Sequence, residues 1–199
     1  MSGPLLRVED LVAGYGRPVV GPLSLDVFPG EVVGLWGANG CGKSTLLNAI
    51  ADRADLLAGR ILRMPGLVIA YQAQQPIRLA SMPVTGRELL HFAGASLQGM
   101  PAAIQAVSRQ RIDRLSGGQY QLLCVWAAIA GRADLILLDE PTNNLDPERE
   151  ALLTEMLAPS RLARRNRNGA QSLPDRGVLL VSHERRFLEE TCSRMIEIA

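Results

Sequence analysis

A glycine-rich segment, GANGCGKST, occupies residues 37–45 of this 199-residue chain. It fits the pattern G-x-x-x-x-G-K-[ST], follows an apolar run at 32–36 and opens a mostly apolar stretch at 46–50. Glycines in such a segment let backbone N–H groups surround a phosphate, and the helix that follows adds its positive dipole end. The lysine reaches the terminal phosphates, and the serine hydroxyl binds Mg²⁺. The segment therefore predicts a nucleoside triphosphate site formed by Gly37, Ala38, Asn39, Gly40, Cys41, Gly42, Lys43, Ser44 and Thr45.

The lysine in this segment is unique in the chain. Of 21 basic residues, Lys43 is the one lysine and the others are arginine. Arginine is a broad planar fork, whereas lysine is a compact charge on a flexible stem. We interpret the choice as a requirement for the compact charge at position 43; chance within an arginine-biased composition is the alternative.

Two carboxylates, Asp139 and Glu140, end the apolar run at 135–138. Charged side chains there must leave the core, and the carboxyl ends of strands face the ligand in parallel α/β sheets. Asp139 suits a Mg²⁺ site, and Glu140 is placed to polarise an attacking water. Adjacent strand residues point to opposite faces, so the two need not have the same role.

A second glycine turn, LSGGQ at 115–119, opens a predicted helix at 117–131. Small residues at a helix start expose N–H groups to an anion, so Ser116, Gly117, Gly118 and Gln119 form a second candidate anion site. A second such turn would normally be redundant in one chain. At this point the sequence resembles the ATP-binding cassette (ABC) ATPases, the motor subunits of ABC transporters. The resemblance implies a head-to-tail dimer with a second copy of the chain, in which LSGGQ of one copy closes over the γ-phosphate of ATP bound by the other.

The resemblance covers nearly the whole chain and implies roles for further residues. Tyr15, in VAGYGRP, resembles the aromatic residue that stacks on adenine. Gln74, in IAYQAQQP, resembles the glutamine that links Mg²⁺ and water to the helical subdomain, with Gln72 and Gln75 as neighbouring candidates. The resemblance thus implies ATP and Mg²⁺ as cofactors, with the metal held by Ser44, Gln74 and Asp139.

Two further motifs complete the implied site. Asp146, in PTNNLDP, resembles the aspartate that crosses between copies, and His183, in LLVSHE, resembles the γ-phosphate switch. The implied catalytic residues are Glu140, His183 and Gln74. One departure is Leu122, because the family usually has arginine at this position after LSGGQ, and we expect weaker polar anchoring of the helix.

Strand-like and helical runs alternate along the chain, which predicts a mostly parallel α/β sheet. The first two strands precede any helix and could form an antiparallel patch. The predicted strands are 5–8, 23–28, 32–36, 68–71, 134–138, 177–181 and 194–198, and the predicted helices are 43–51, 86–93, 117–131, 147–157 and 184–191.

The resemblance implies the ABC cassette form of the P-loop NTPase fold, with one ABC ATPase domain over residues 1–199. Residues 1–75 and 115–199 would form the core with its antiparallel part. Residues 76–114 would begin a compact helical subdomain that continues into the helix at 115–131. We expect no room for a C-terminal regulatory domain after His183.

The composition narrows the class of protein. The net charge of +1 argues against a generic nucleic-acid binder, and the apolar run 122–130 is too short to span a bilayer. We expect no signal peptide. Three widely spaced cysteines and two histidines argue against a disulfide framework or a structural zinc site. A cytoplasmic protein that reaches the inner face of the membrane through a partner fits these features.

The sequence leaves three ABC classes open. A transporter subunit would work with a transmembrane permease and, for an importer, a substrate-binding protein, and not with nucleic acid. PTNNLD and VSHERRFLEE resemble F-type translation factors, although those proteins carry two cassettes and a linker. A cluster-assembly ATPase is the third class. SMPVTGRELL resembles zinc and manganese importers, which favours metal uptake.

Segment 159–177 carries five arginines and one aspartate. We interpret it as a solvated polar loop, with contact to anionic lipid or a partner as the alternative.

Overall fold

A computed structural model describes residues 3–74, 83–162 and 175–198. The strands are β1 Leu6–Gly14, β2 Pro18–Val27, β3 Val32–Trp36, β4 Asp55–Arg63, β5 Ile69–Gln72, β6 Leu135–Asp139, β7 Gly177–Val181 and β8 Arg194–Glu197. The helices are α1 Lys43–Ile50, α2 Gly86–Phe92, α3 Ala102–Val107, α4 Gly117–Ala130, α5 Pro147–Leu157, α6 Pro159–Leu162 and α7 Arg185–Thr191, with a 3-10 turn at Ile112–Arg114.

The central sheet has five parallel strands in the order β5-β6-β7-β3-β8. Both of its faces are covered, which explains why β6 and β7 are apolar at successive positions. Leu135 and Leu137 pack in the cluster that contains α1, whereas Ile136 and Leu138 pack in the cluster that contains α4. This alternation decides which face each residue beyond β6 will reach.

A second, antiparallel sheet has the order β2-β1-β4. The antiparallel patch predicted for the first two strands is therefore confirmed, and β4 extends it. β4 was not predicted from the sequence, because most of its residues are exposed and Ala58-Gly59 interrupts its apolar run. The sheet packs against α1, whose cluster includes residues of β1 and β2.

Helices α2, α3 and α4 pack around one core cluster. The sequence predicted α2 and α4 but not the short α3. α4 begins at a capping box, in which Ser116 accepts from the Gln119 backbone N–H and Gln119 accepts from the Ser116 backbone N–H. Leu122 is buried in this core, so this position makes apolar contacts in this chain. The side-chain amide of the neighbouring Gln121 donates to the Pro141 carbonyl at 3.3 Å.

Within the described residues, no helix is both long and apolar enough to cross a bilayer.

The prediction of a polar loop from residue 159 was wrong at its start. Residues 159–162 form α6, whose Leu162 is fully buried. Arg161 pairs with Glu155 and donates to the Gly99 carbonyl, and Arg176 donates to the Gly131 carbonyl. These two arginines hold elements together because carbonyls and a carboxylate lie within their reach. Residues 163–174 of the segment lie outside the described residues.

Candidate nucleotide-binding and hydrolysis site

The phosphate loop connects β3 to α1 and depends on glycine at two close approaches. Gly42 caps α1 with φ of 96°, and a Cβ there would lie 2.6 Å from the Cβ of Val20. A Cβ at Gly37 would lie 2.3 Å from the Ile198 carbonyl oxygen. Any larger residue at either position would displace the loop from β2 or from the end of β8. The loop is thus fixed by the two sheets on either side of it.

Lys43 begins α1 and is 6% exposed. Its Nζ donates to the carbonyl oxygens of Gly37 and Ala38 at 2.8 and 2.9 Å and lies 3.9 Å from the Cys41 sulfur. The ammonium group is therefore held inside the curve of the loop, a space that suits a compact charge.

Ser44, on α1, and Asp139, at the end of β6, are joined by a hydrogen bond. The Ser44 hydroxyl donates to Oδ1 of Asp139 at 2.9 Å, and the Tyr71 hydroxyl donates to Oδ2 at 3.4 Å. Burial raises the pKa of Asp139, and the neighbouring charge of Glu140 adds to this effect. Burial and the Asp139 charge raise the pKa of Tyr71 to about 12, so Tyr71 stays a donor. A buried carboxylate beside a hydroxyl is a suitable oxygen pair for Mg²⁺.

Glu140 and His183 follow neighbouring strands of the sheet and contact each other. Asp139 pairs with Val181, and the Glu140 backbone N–H donates to the Val181 carbonyl at 2.9 Å. Glu140 is a non-glycine residue with φ of 49°, a strained conformation that turns its side chain out of the strand. Its Oε2 lies 2.7 Å from His183 Nδ1 and accepts the His183 backbone N–H at 3.2 Å.

The LSGGQ turn lies against the segment that contains Asp146. Gly118 is buried, and a Cβ there would lie 3.1 Å from atoms of Leu145 and Arg149. Asp146 is the N-cap of α5 and accepts from the Arg149 backbone N–H at 2.9 Å. The structure therefore joins two motifs that are 27 residues apart in the sequence (119 to 146) and that the resemblance assigned to the interface between copies.

Tyr15 and Gln74 are both exposed. The Tyr15 side chain reaches α1, where its hydroxyl accepts from the Asn48 amide at 3.2 Å, and the residue is 56% exposed. Gln74 lies beyond the end of β5, whereas Gln72 ends β5 and is buried, with no hydrogen-bond partner for its amide among the described residues. Exposure favours Gln74 as the glutamine free to reach a ligand; Gln75 lies outside the described residues.

Three residues near the site were not predicted as functional. Tyr71 contacts Asp139, Arg149 contacts both Asp146 and Gly118, and the Arg185 guanidinium lies 4.9 Å from the ring centre of Trp36. Trp36 directly precedes the phosphate loop and Arg185 follows His183 by two residues, a proximity to the motifs that could have drawn attention to both.

Comparison with known proteins places these features in a family. The family model described as ABC transporter matches residues 20–143. The zinc import ATP-binding protein ZnuC of Paracoccus denitrificans is 33% identical over 207 residues, covering 97% of this chain and 75% of that protein. The probable ATP-binding protein YheS of Escherichia coli is 31% identical over 96% of this chain, but the match covers 29% of that protein. A chain in an inward-facing metal-chelate type ABC transporter superposes with a TM-score of 0.75 at 23% identity, over 99% of this chain and 80% of that one.

Proposed function

This chain belongs to the ABC transporter family of ATPases, and from that premise we propose that it is the ATP-hydrolysing subunit of a transporter that imports a divalent metal ion, zinc in particular. The observation that carries the ATP-hydrolysing part of the proposal is the row of contacts from Ser44 to Asp139 and from Glu140 to His183. These contacts bring the phosphate loop, two carboxylates and a histidine to one edge of the sheet.

We propose that ATP binds with its phosphates in the loop at 37–45 and its adenine on Tyr15. Backbone N–H groups and Lys43 hold the β- and γ-phosphates. Ser44 and Asp139 would hold Mg²⁺, with Gln74 as a further ligand. When bound, the metal neutralises charge on the phosphate oxygens.

Hydrolysis then depends on Glu140 and His183. Glu140 accepts a proton from the attacking water, as a general base. The contact between His183 Nδ1 and Glu140 fixes the ring and directs Nε2 away from the carboxylate. We propose that Nε2 faces the γ-phosphate and positions it for in-line attack.

The two anion sites of one chain are used by different copies. We propose that two chains stack head to tail, so that Ser116, Gly117, Gly118 and Gln119 of one copy close over the γ-phosphate bound by the other. The N-terminus of α4 supplies backbone N–H groups and its dipole to that phosphate. Asp146 lies beside this turn and would cross to the partner's site.

Metal import is supported by the relatives. The P. denitrificans relative is named for zinc import, and its match covers three quarters of its length. We therefore propose a transmembrane permease and a substrate-binding protein as partners, with this chain on the inner face of the membrane. The resemblance of PTNNLD and VSHERRFLEE to F-type translation factors favours a second candidate, an F-type protein that does not transport, and the experiment below separates the two.

The experiment compares cells that lack the chain with cells that receive the wild type, Glu140→Gln or the exposed control Glu148→Gln. Under zinc limitation, we expect the wild type and Glu148→Gln to restore growth and uptake of labelled zinc, and Glu140→Gln to restore neither. Normal zinc uptake without the chain would contradict metal import. Association of the Glu140→Gln protein with ribosomes in the presence of ATP would support the second candidate instead. Absence of Mg²⁺-dependent ATP hydrolysis by the purified wild type would contradict both.

A further inference from the structure

We propose that Arg149 is a positioning residue, which ties the LSGGQ turn to Asp146 so that the two are presented to a second copy of the chain as one rigid surface. The inference rests on the proposed head-to-tail dimer and adds to it a residue that none of the sequence motifs includes. It is carried by two contacts of the Arg149 side chain, one made by its stem and the other by its guanidinium.

The stem of Arg149 covers the second glycine of the turn. A Cβ at Gly118 would lie 3.1 Å from Cδ of Arg149, 3.1 Å from Cδ2 of Leu145 and 3.2 Å from the carbonyl oxygen of Asn144. Gly118 is therefore buried, while its neighbours Ser116 and Gly117 are exposed. Arginine stems commonly pack in this way while their charged ends reach the surface. A side chain at Gly118 would therefore press on Arg149, which shows how little space separates the turn from α5.

The polar groups of Arg149 hold both oxygens of the Asp146 carboxylate. Oδ1 accepts from the Arg149 backbone N–H at 2.9 Å, and Oδ2 is ion-paired with Nη1 of the guanidinium. The Asp146 side chain is 48% exposed and that of Arg149 is 36% exposed, so the pair lies at the surface. Arg149 thus fixes the orientation of a carboxylate that is proposed to reach the partner.

We expect this arrangement to contribute more to the free energy of association than to the free energy of folding. An exposed ion pair contributes little to the stability of a fold. Ordering a side chain before association, by contrast, removes part of the entropy cost at an interface. Without the guanidinium, Asp146 would sample other rotamers, and without the stem the cover over Gly118 would be lost. Dimerisation would then carry an additional entropy cost, whereas the stability of the separate chain would be unchanged.

The test uses ATP-dependent dimerisation of the Glu140→Gln protein, measured by sedimentation. Into this background we introduce Arg149→Ala, Arg149→Lys or the control Arg60→Ala. Arg60 also pairs with a carboxylate, that of Glu9 at 2.7 Å, but between β4 and β1 of the antiparallel sheet. We expect Arg149→Ala to raise the dimer dissociation constant by about threefold to tenfold, Arg149→Lys to raise it less, and Arg60→Ala to leave it unchanged. The Tm of nucleotide-free Arg149→Ala should match that of Arg60→Ala.

A second arm tests the connection to the aspartate. Asp146→Asn keeps the cap to the Arg149 backbone N–H but loses the ion pair, so Arg149→Ala should have a smaller further effect in that background, the part that comes from the stem over Gly118. Equal dimerisation of Arg149→Ala and its parent, independent effects of the two substitutions, or a Tm loss confined to Arg149→Ala would each overturn the inference. If the Glu140→Gln parent itself stays monomeric with ATP, the proposed dimer fails, and the inference fails with it.

Discussion

Nδ1 of His183 lies 2.7 Å from Oε2 of Glu140, although the two residues are 43 positions apart in the sequence. The contact exists because β6 and β7 are hydrogen-bonded neighbours and each of the two residues lies just beyond its strand. A proposed base and a proposed γ-phosphate switch are therefore one hydrogen-bonded unit. The predictions below treat them as such.

The first prediction concerns Glu140→Gln. The amide keeps the size of the side chain but cannot accept the proton of water. We expect ATP binding to persist while turnover is lost, and sedimentation with ATP to show twice the monomer mass. Glu148→Gln, an exposed change on α5, should hydrolyse ATP normally. A Glu140→Gln protein that still turns over ATP at the wild-type rate would remove the general-base role.

The second prediction concerns His183→Ala. Loss of the ring removes the group positioned by Glu140 and should lower kcat by about 10²-fold. The matched control is His91→Ala, because His91 is the other histidine of the chain and lies exposed on α2. Steady-state ATPase kinetics measure the effect. Unchanged kcat would assign His183 a purely structural contact with Glu140.

The third prediction concerns Lys43→Arg, the exchange that keeps the charge. The Lys43 Nζ lies inside the curve of the loop between the Gly37 and Ala38 carbonyls, and a planar guanidinium is too broad for that place. We expect hydrolysis to be severely impaired, and Lys43→Ala to weaken ATP binding as well. Near-normal hydrolysis by Lys43→Arg would contradict the requirement for a compact charge.

The fourth prediction concerns the pH dependence of stability. Burial raises the pKa of Asp139, so the folded protein binds this proton more tightly than the unfolded chain does. The free energy of unfolding therefore falls as pH rises from about 4, the unfolded value, through the raised folded pKa. At neutral pH without nucleotide, Asp139→Asn should raise the Tm by about 2–4 °C.

This gain should shrink as the pH falls through the folded pKa and disappear well below about 4, where the carboxyl is protonated in both states. Asp113→Asn is the control, because its hydrogen bond from Arg111 lowers the pKa of Asp113 and the substitution should give no gain. Thermal unfolding at several pH values measures both variants. A gain from Asp139→Asn that is independent of pH would show that the buried charge is not its cause.

The sequence was most informative where a single short segment contains all the residues of a predicted site. The phosphate loop could be predicted because its glycines, lysine and serine act within nine residues and flank a recognisable strand and helix. Asp139 and Glu140 could be predicted because charge at the end of an apolar run must leave the core. β4 was missed because most of its residues are exposed, and an exposed strand has no buried face that would give the sequence an apolar pattern.

Contacts between distant segments could not be predicted. Both Glu140 and His183 follow buried strands, but the sequence does not say that those strands are neighbours. Nor does it say that α5 packs on the LSGGQ turn, which brings Arg149 onto Gly118. These relationships depend on strand order and helix packing: β5, β6 and β7 follow their order in the chain, but β3 lies between β7 and β8.

The central claim is that the LSGGQ turn serves the nucleotide of another copy, and the most direct measurement is the ATPase activity of a mixture of Ser116→Arg and Lys43→Ala proteins. Each variant alone should be nearly inactive. A mixed dimer has one site with both defects and one intact site, formed by the phosphate loop of the Ser116→Arg chain and the turn of the Lys43→Ala chain. We predict that the mixture recovers part of the wild-type activity and dimerises with ATP. If the turn acted within its own chain, every subunit of the mixture would carry a defect and mixing would restore nothing. A mixture of folded variants that shows neither ATPase activity nor ATP-dependent dimerisation would therefore contradict the account.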